Sequence, residues 1–328
     1  MHSFRTATIL LLLILLKSAT ELPPVIARQP DVTGDGLVAA ISPEGVLVSE
    51  SGQKVLFFQT KPKSLDGKYT RAAYVHPLWD LDGNVLTEDF PVDHPHHRGI
   101  FWAWHQLTVD GRQIGDPWLC SDFLAELLPQ SVKVQRQSNG AVRLNVSLAW
   151  KSPHWTGPDG VQKPIVVEQT AVIVQPAQGD IRLIDFVIAL TAQEKDVRIG
   201  GSRDVKGYGG FSTRLRLPDG LKFRLQSGAV EPQKTAVEAS PWLDMTAVFG
   251  MGTELNGVSV LTHPATPGYP QRWILRQKRS MQNGVFPGRD SVALPRDQTL
   301  QFRYRIVLHR GEASGETVDL WQSQFEKK

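Results

Sequence analysis

A single cysteine in 328 residues leaves Cys120 without a partner, so no internal disulfide can form and stability must come from a large core. Flanked by Trp118, Leu119 and Phe123, Cys120 reads as a small buried hydrophobe rather than a nucleophile. Charge of one sign is also missing. The chain carries 36 Lys and Arg against 33 Asp and Glu, and no concentrated basic surface of the kind that binds nucleic acid stands out. No serine-elbow motif is present, which removes the usual support for serine nucleophiles. Neither repeats nor a Pro, Gly or Ser-rich linker divides the chain, and hardly any long helical period occurs.

Long apolar runs are confined to the start. Arg5 precedes an unbroken apolar stretch from Ala7 to Leu16, and Lys17 ends it before small and polar residues. That run is too short to span a bilayer and follows the pattern of a signal peptide over residues 1–20. No cysteine follows it, so a lipid anchor is not indicated. The expectation is a secreted or periplasmic protein with no membrane association after signal removal, and removing Arg5 and Lys17 lowers the formal charge from +3 to +1. Residues 21–328 are then expected to form one domain.

What is abundant is short alternation. Val46–Ser49 and Val55–Thr60 flank a Ser-Gly turn, Ser131–Gln137 and Val142–Trp150 bracket Ser138-Asn139-Gly140, and Ile165–Val174 and Ile181–Leu190 flank Pro176 to Asp180. These are antiparallel strands joined by turns. Leu300 to His309 closes the series, and only the tail from Ser314, with Val318, Trp321 and Phe325 on one face, reads as a helix that docks on the core. The fold class expected is all-β: a large antiparallel β-sandwich with a short C-terminal helix. Segments 61–71, 87–99, 151–164, 200–212 and 264–290 lack alternation and read as long loops, where functional residues gather.

The chemistry concentrates in one of these loops. Residues 93–99 read Asp-His-Pro-His-His-Arg-Gly, placing three of nine histidines and an arginine within five positions. Imidazole serves as acid, base or metal ligand near neutral pH, so His94, His96, His97 and Arg98 are the first candidates. In extended chain His94 and His96 share a face and His97 points away. The first two could hold one divalent metal ion, which would need a further ligand from His76, His105, Glu168 or His263; an ordinary structural network is the alternative.

Two other stretches contribute. Gly200 to Gly210 lacks the Gly-Lys-Ser/Thr ending of a phosphate loop, but its glycines would let backbone approach a ligand, with Lys206 and Tyr208 as donors. His263 ends an apparent strand and could reach the cluster or merely cap that strand. Trp102 and Trp104 lie on one face of the strand after the cluster, opposite Phe101 and Ala103, which buries that strand between layers. Trp79, Trp155, Trp242 and Trp273 are candidates for stacking on sugar rings or for core packing.

Taken together, Tyr74-Val75-His76-Pro77-Leu78 with Asp82-Gly83, the histidine motif with Phe101-Trp102-Ala103-Trp104, Glu168, Lys206 to Phe211 with Arg214, and His263-Pro264 with Trp273 resemble the PmoA-like, or methane-oxygenase-like, family of unknown function. The membrane activity in that label is not implied, because it needs several spans of about 20 apolar residues. The resemblance extends to the galactose-mutarotase-like superfamily, which implies a β-supersandwich acting on carbohydrate. The function expected is therefore an exported carbohydrate-active enzyme, an epimerase, lyase or hydrolase, with a site built from His94, His96, His97, Arg98, Lys206, Tyr208 and His263. The alternative is a noncatalytic glycan-binding or assembly protein.

Overall fold

Turns set the register of this chain. Ser51-Gly52, Asp66-Gly67 and Asp110-Gly111 have positive φ at both positions, as a two-residue type I′ turn requires. Each closes a hairpin, pairing Gly45–Glu50 with Gln53–Gln59, Lys63–Leu65 with Lys68–Arg71, and Gln106–Val109 with Arg112–Gly115. The structure is a computed structural model and describes residues 36–327; the signal-peptide reading of residues 1–20 lies outside them.

Two large antiparallel sheets dominate. The first has nine strands in the order Leu37–Ile41, Gly45–Glu50, Gln53–Gln59, Tyr74–Leu78, Ile100–Trp104, Gly209–Thr213, Gln282–Val285, Gln271–Ile274 and Ala239–Ser240. The second has ten, centred on Val166–Val174, Ile181–Ala192, Leu300–Arg310 and Asn256–Thr262. The all-β reading therefore holds, with 49% strand and 4% helix. Among the described residues no helix is long and apolar enough to cross a membrane.

The core lies between the sheets and is rich in rings. Trp102, Trp104 and Phe211 of the first sheet meet Trp150, Phe186, Phe302 and Tyr304 of the second, with Phe211 stacked on Tyr304 at 4.3 Å. Each buried Phe contributes on the order of 1.5–3 kcal/mol by leaving water. Trp242 and Trp273, candidates for sugar stacking, are buried at 0% and 1% exposure, so both are packing residues.

Strand alternation sends Phe101 and Ala103 to the opposite face of the first sheet, where they form a small cluster with Tyr74, Trp118 and Met281, and Tyr208 packs against it. On the outer face of the second sheet, the helix Gly315–Glu326 docks Val318, Trp321 and Phe325 onto Trp242, Leu261 and Val307. Ser314 caps that helix by accepting from the Thr317 amide at 3.1 Å, as the sequence implies.

Three segments read as loops contain strands. Residues 61–71 hold the Asp66-Gly67 hairpin, Gly209–Thr213 pairs with Ile100–Trp104, and Gln271–Ile274 pairs with Gln282–Val285. Gly209 and Gly210 hide their strand because a side chain does not fit there: a Cβ on Gly210 would lie 2.6 Å from the Gly284 carbonyl oxygen, and φ is +103°. The glycine run thus lets chain approach chain rather than chain approach ligand. Gly201 and Gly207 likewise pack against the backbone of Gly288.

Candidate functional site

The histidine loop is coiled rather than extended. The His94 amide donates to the Pro91 carbonyl and the His97 amide to the His94 carbonyl, at 3.1 and 2.9 Å. This turn brings positions three apart together, so His94 and His97 stack at 4.8 Å with rings nearly parallel, while His96 meets His97 edge-on at 4.5 Å and His94 at 5.7 Å. The expectation that His94 and His96 share a face opposite His97 fails for that reason. Gly99 ends the loop at φ +39°, where a Cβ would fall 1.9 Å from the Val75 carbonyl oxygen.

Arg214, from the chain following Gly209–Thr213, anchors the cluster. Its guanidinium donates to both oxygens of Asp93, at 2.8 and 3.0 Å, and to Glu88 at 2.7 Å. Burial opposes ionisation of Asp93, but hydrogen bonds from Arg214 and His94 outweigh it and hold the carboxyl well below the usual range. An ionised carboxylate only accepts, so the His94 Nδ1, 2.7 Å from Asp93, carries a proton, and in the neutral ring the lone pair is then on Nε2.

His97 has the opposite arrangement. Its Nδ1 lies 3.5 Å from Nη1 of Arg214, a group that only donates, which places the neutral ring's proton on Nε2. Burial, then the neighbouring His96, His94 and Arg214, push the His97 pKa far down. His96 is lowered to about 4, by burial and then by the charge of Arg71. Two stacked imidazoles of opposite tautomer thus lie side by side, one half-exposed and one 2% exposed.

Aromatic residues continue the face. Trp118 stands edge-on to His97 at 6.0 Å, stacks on His105 at 5.3 Å and meets Tyr208 at 5.6 Å. His105 pairs with Asp116 through Nδ1 at 2.9 Å, a second imidazole held by a carboxylate. Arg276 donates to the Tyr208 hydroxyl at 2.8 Å, and burial raises the phenol's pKa against that cation. Lys206 sits 5.7 Å above the Tyr208 ring and 4.0 Å from Asp204, at the exposed rim.

Arg98 does not face this surface. It is fully buried, donating to Asp89 at 2.9 Å, to Tyr74, and to the carbonyls of Lys63 and Tyr69, with Phe90 stacked at 3.3 Å. Its role is to tie the Lys63–Arg71 hairpin to the histidine loop. His263 also lies apart, against Phe325 of the C-terminal helix and Arg303. His76 bonds Thr87, and Glu168 is buried between the sheets, accepting from Trp102, Trp150 and Thr170. Burial raises the Glu168 pKa against those three donors.

None of these supplies the missing metal ligand. Among the described residues no three His, Cys, Asp or Glu side chains come together in a way that could hold an ion. His94 and His96 therefore do not complete the three-ligand set of an open catalytic site among the described residues.

Sequence reasoning passed over Arg71, Trp118 and Arg276. Arg71 ends the hairpin that read as loop, and its guanidinium lies 4.9 Å over Phe101; the flat alternation of residues 61–71 gave no signal. Trp118 was visible only as a neighbour of Cys120, which is half-buried and 3.9 Å from the Pro117 carbonyl. Residues 45–322 match the model of a family of unknown function, DUF6807. No curated protein matches the chain.

Proposed function

The chain belongs to the DUF6807 family, whose function is unknown, and from that premise we propose that its histidine face is an acid–base site of an exported enzyme acting on a sugar or sugar derivative. The supporting observation is the geometry of the stacked pair, with His94 Nδ1 on the Asp93 carboxylate and His97 Nδ1 beside the Arg214 guanidinium, which assigns the two neutral rings opposite tautomers. In this reading Nε2 of His94 removes a proton from a sugar hydroxyl or carbon. The Tyr208 hydroxyl gives a proton to the ring or leaving oxygen, the neutral His97 offers that oxygen a hydrogen bond from Nε2–H without giving the proton up, and Lys206 offsets developing negative charge. Positioned acids and bases contribute about 10²–10⁴-fold each.

The carbohydrate part draws on the motif resemblance to PmoA-like proteins and, through them, to the galactose-mutarotase-like superfamily. The sandwich is compatible with that relation, although fold alone does not give function. Export draws on the apolar run at Ala7 to Leu16.

The test is a turnover screen over reducing, oxidised and keto sugars with wild type, His94→Ala and His97→Ala. Turnover that falls about 10²-fold or more in His94→Ala supports the reading. No turnover on any sugar, or a His94→Ala protein equal to wild type, sinks it. A noncatalytic glycan-binding face is the competing reading, favoured by the near-complete burial of His97; binding without chemical change, indifferent to both histidines, would select it.

A further inference from the structure

Five arginines are buried among the described residues: Arg71, Arg98, Arg182, Arg214 and Arg305. Four of them have carboxylate partners, namely Asp89 for Arg98, Glu50 for Arg182, Glu88 and Asp93 for Arg214, and Asp185 for Arg305. Arg71 is the exception. At 7% exposure, it has no carboxylate within ion-pair distance among the described residues. Its Nη2 donates to the carbonyls of Pro117 and Trp118, at 2.8 and 3.0 Å, and its Nε is buried with no acceptor at all.

A buried cation without a counter-charge is costly, and removing one partner of a buried pair is among the most damaging single changes in a protein. Stacking on Phe101 at 4.9 Å offsets part of that cost. The position is the informative part. The guanidinium lies beside the proposed acid–base face, close enough that its charge depresses both His96 and His97. Phe101, on which it stacks, is 6.0 Å from the His97 ring. Arg276 adds a second cation on the same face whose hydrogen bonds go to the Tyr208 hydroxyl and to backbone carbonyls rather than to a carboxylate. Neither Arg71 nor Arg276 has a carboxylate within ion-pair distance among the described residues, whereas Asp93 and Glu88 are engaged by Arg214, Asp116 by His105 and Asp204 by Lys206.

We propose that Arg71 is the anion-recognition residue of this site and that the substrate is an acidic sugar, a uronic or aldonic acid whose carboxylate supplies the missing partner. Nη2 is held by the Pro117 and Trp118 carbonyls and Nε is buried, so Nη1, which is neither bonded nor sealed off, is the nitrogen that donates to that carboxylate in a charge-assisted hydrogen bond. This inference rests on the sugar-site reading above and narrows it from sugars to sugar acids. Arg71 is a binding residue here, and the acid–base roles stay with His94 and His97.

The experiment is calorimetric titration of the full chain with matched ligands: glucuronate and galacturonate, gluconate, the corresponding neutral hexoses, and a hexose phosphate. Wild type should bind at least one sugar acid about tenfold or more tighter than its neutral counterpart. Arg71→Lys keeps a cation in place, but one ammonium cannot hold the Pro117 and Trp118 carbonyls and reach the ligand in the same geometry, so it should weaken the acid by about 10–100-fold and the neutral hexose by much less. Melting temperature reports whether the variant is folded, and if it is not, the wild-type comparison of acid against hexose decides alone. Equal binding of acid and hexose, or equal weakening of both by Arg71→Lys, overturns the proposal while leaving the sugar reading intact. Binding of the hexose phosphate in preference to every carboxylate overturns it in favour of a phosphorylated ligand. Binding of no sugar, charged or neutral, removes the sugar reading and this inference with it.

Discussion

Mild acid should destabilise this protein through its histidine face well before its carboxylates titrate. His97 is 2% exposed, and burial together with His96, His94 and Arg214 keeps it neutral far below the usual imidazole range. His96 follows with a pKa of about 4. In the unfolded chain both rings recover a pKa of about 6.5. Between the folded and unfolded values only the unfolded state takes up these protons, so their contribution to stability is complete above about pH 6.5 and is lost as pH falls below it. Well inside that window each proton changes stability by about 1.4 kcal/mol per pH unit. From about pH 7.5 to about pH 5, His97 alone should therefore remove about 2 kcal/mol. His96, partly exposed, adds less. Against a typical total of about 5–15 kcal/mol, that is a large loss. Urea midpoints measured across the window, with the m-value checked for constancy, would show it. His97→Gln should flatten the dependence by the share of one proton. A midpoint that stays level down to about pH 5, or a His97→Gln protein that keeps the whole slope, would refute the argument.

Three further outcomes are expected. Arg98→Met should lower unfolding free energy by about 2–4 kcal/mol, because buried Asp89 keeps only the half-exposed Lys63 as a cationic partner and the carbonyls of Lys63 and Tyr69 lose their donor; a loss below about 1 kcal/mol in denaturant titration would argue against the structural role assigned to Arg98. Gly99→Ala, which forces a Cβ to 1.9 Å from the Val75 carbonyl oxygen, should fail to accumulate as folded protein, and normal expression with an unchanged melting temperature would contradict the loop geometry. His263→Ala should leave sugar turnover and binding unchanged, since the ring packs on Phe325 beneath the C-terminal helix; a selective fall in turnover with intact stability would return His263 to the site.

Much of the fold was legible because alternation and turn chemistry are local. Val142–Lys151, Val166–Val174, Ile181–Ala192 and Leu300–Arg310 fall where the pattern puts them, and Ser314 caps the only helix among the described residues. Gly209–Thr213 and Gln271–Ile274 were illegible because their identity as strands depends on neighbours. The first needs glycine to lie against Gly201 and Trp104, and the second is a four-residue piece held between other strands.

The candidate site divides in the same way. His94, His96 and His97 are together because one loop carries them, yet their mutual orientation depends on a turn that an i, i+2 rule does not anticipate. Arg98 sits beside them in sequence and points elsewhere, since its partners Asp89 and Tyr74 are set by the hairpin packing over them. Arg71 reaches the face across tertiary distance alone. A strand-end histidine such as His263 cannot reveal from sequence which sheet, or which side of it, will receive it.

The carboxylate of Glu168 has a mechanical consequence. One oxygen holds the indole of Trp102, from the first sheet, at 3.0 Å, and the other holds the indole of Trp150, from the second, at 2.9 Å. It works as a key between two plates. Glu168 and Trp150 belong to the same sheet, so a slip of one plate by two residues would carry Trp102 about 7 Å from the carboxylate and strand its indole N–H in a hydrocarbon gap. Shear is therefore closed off as a soft mode, and under load the layers should part together in one rupture rather than glide.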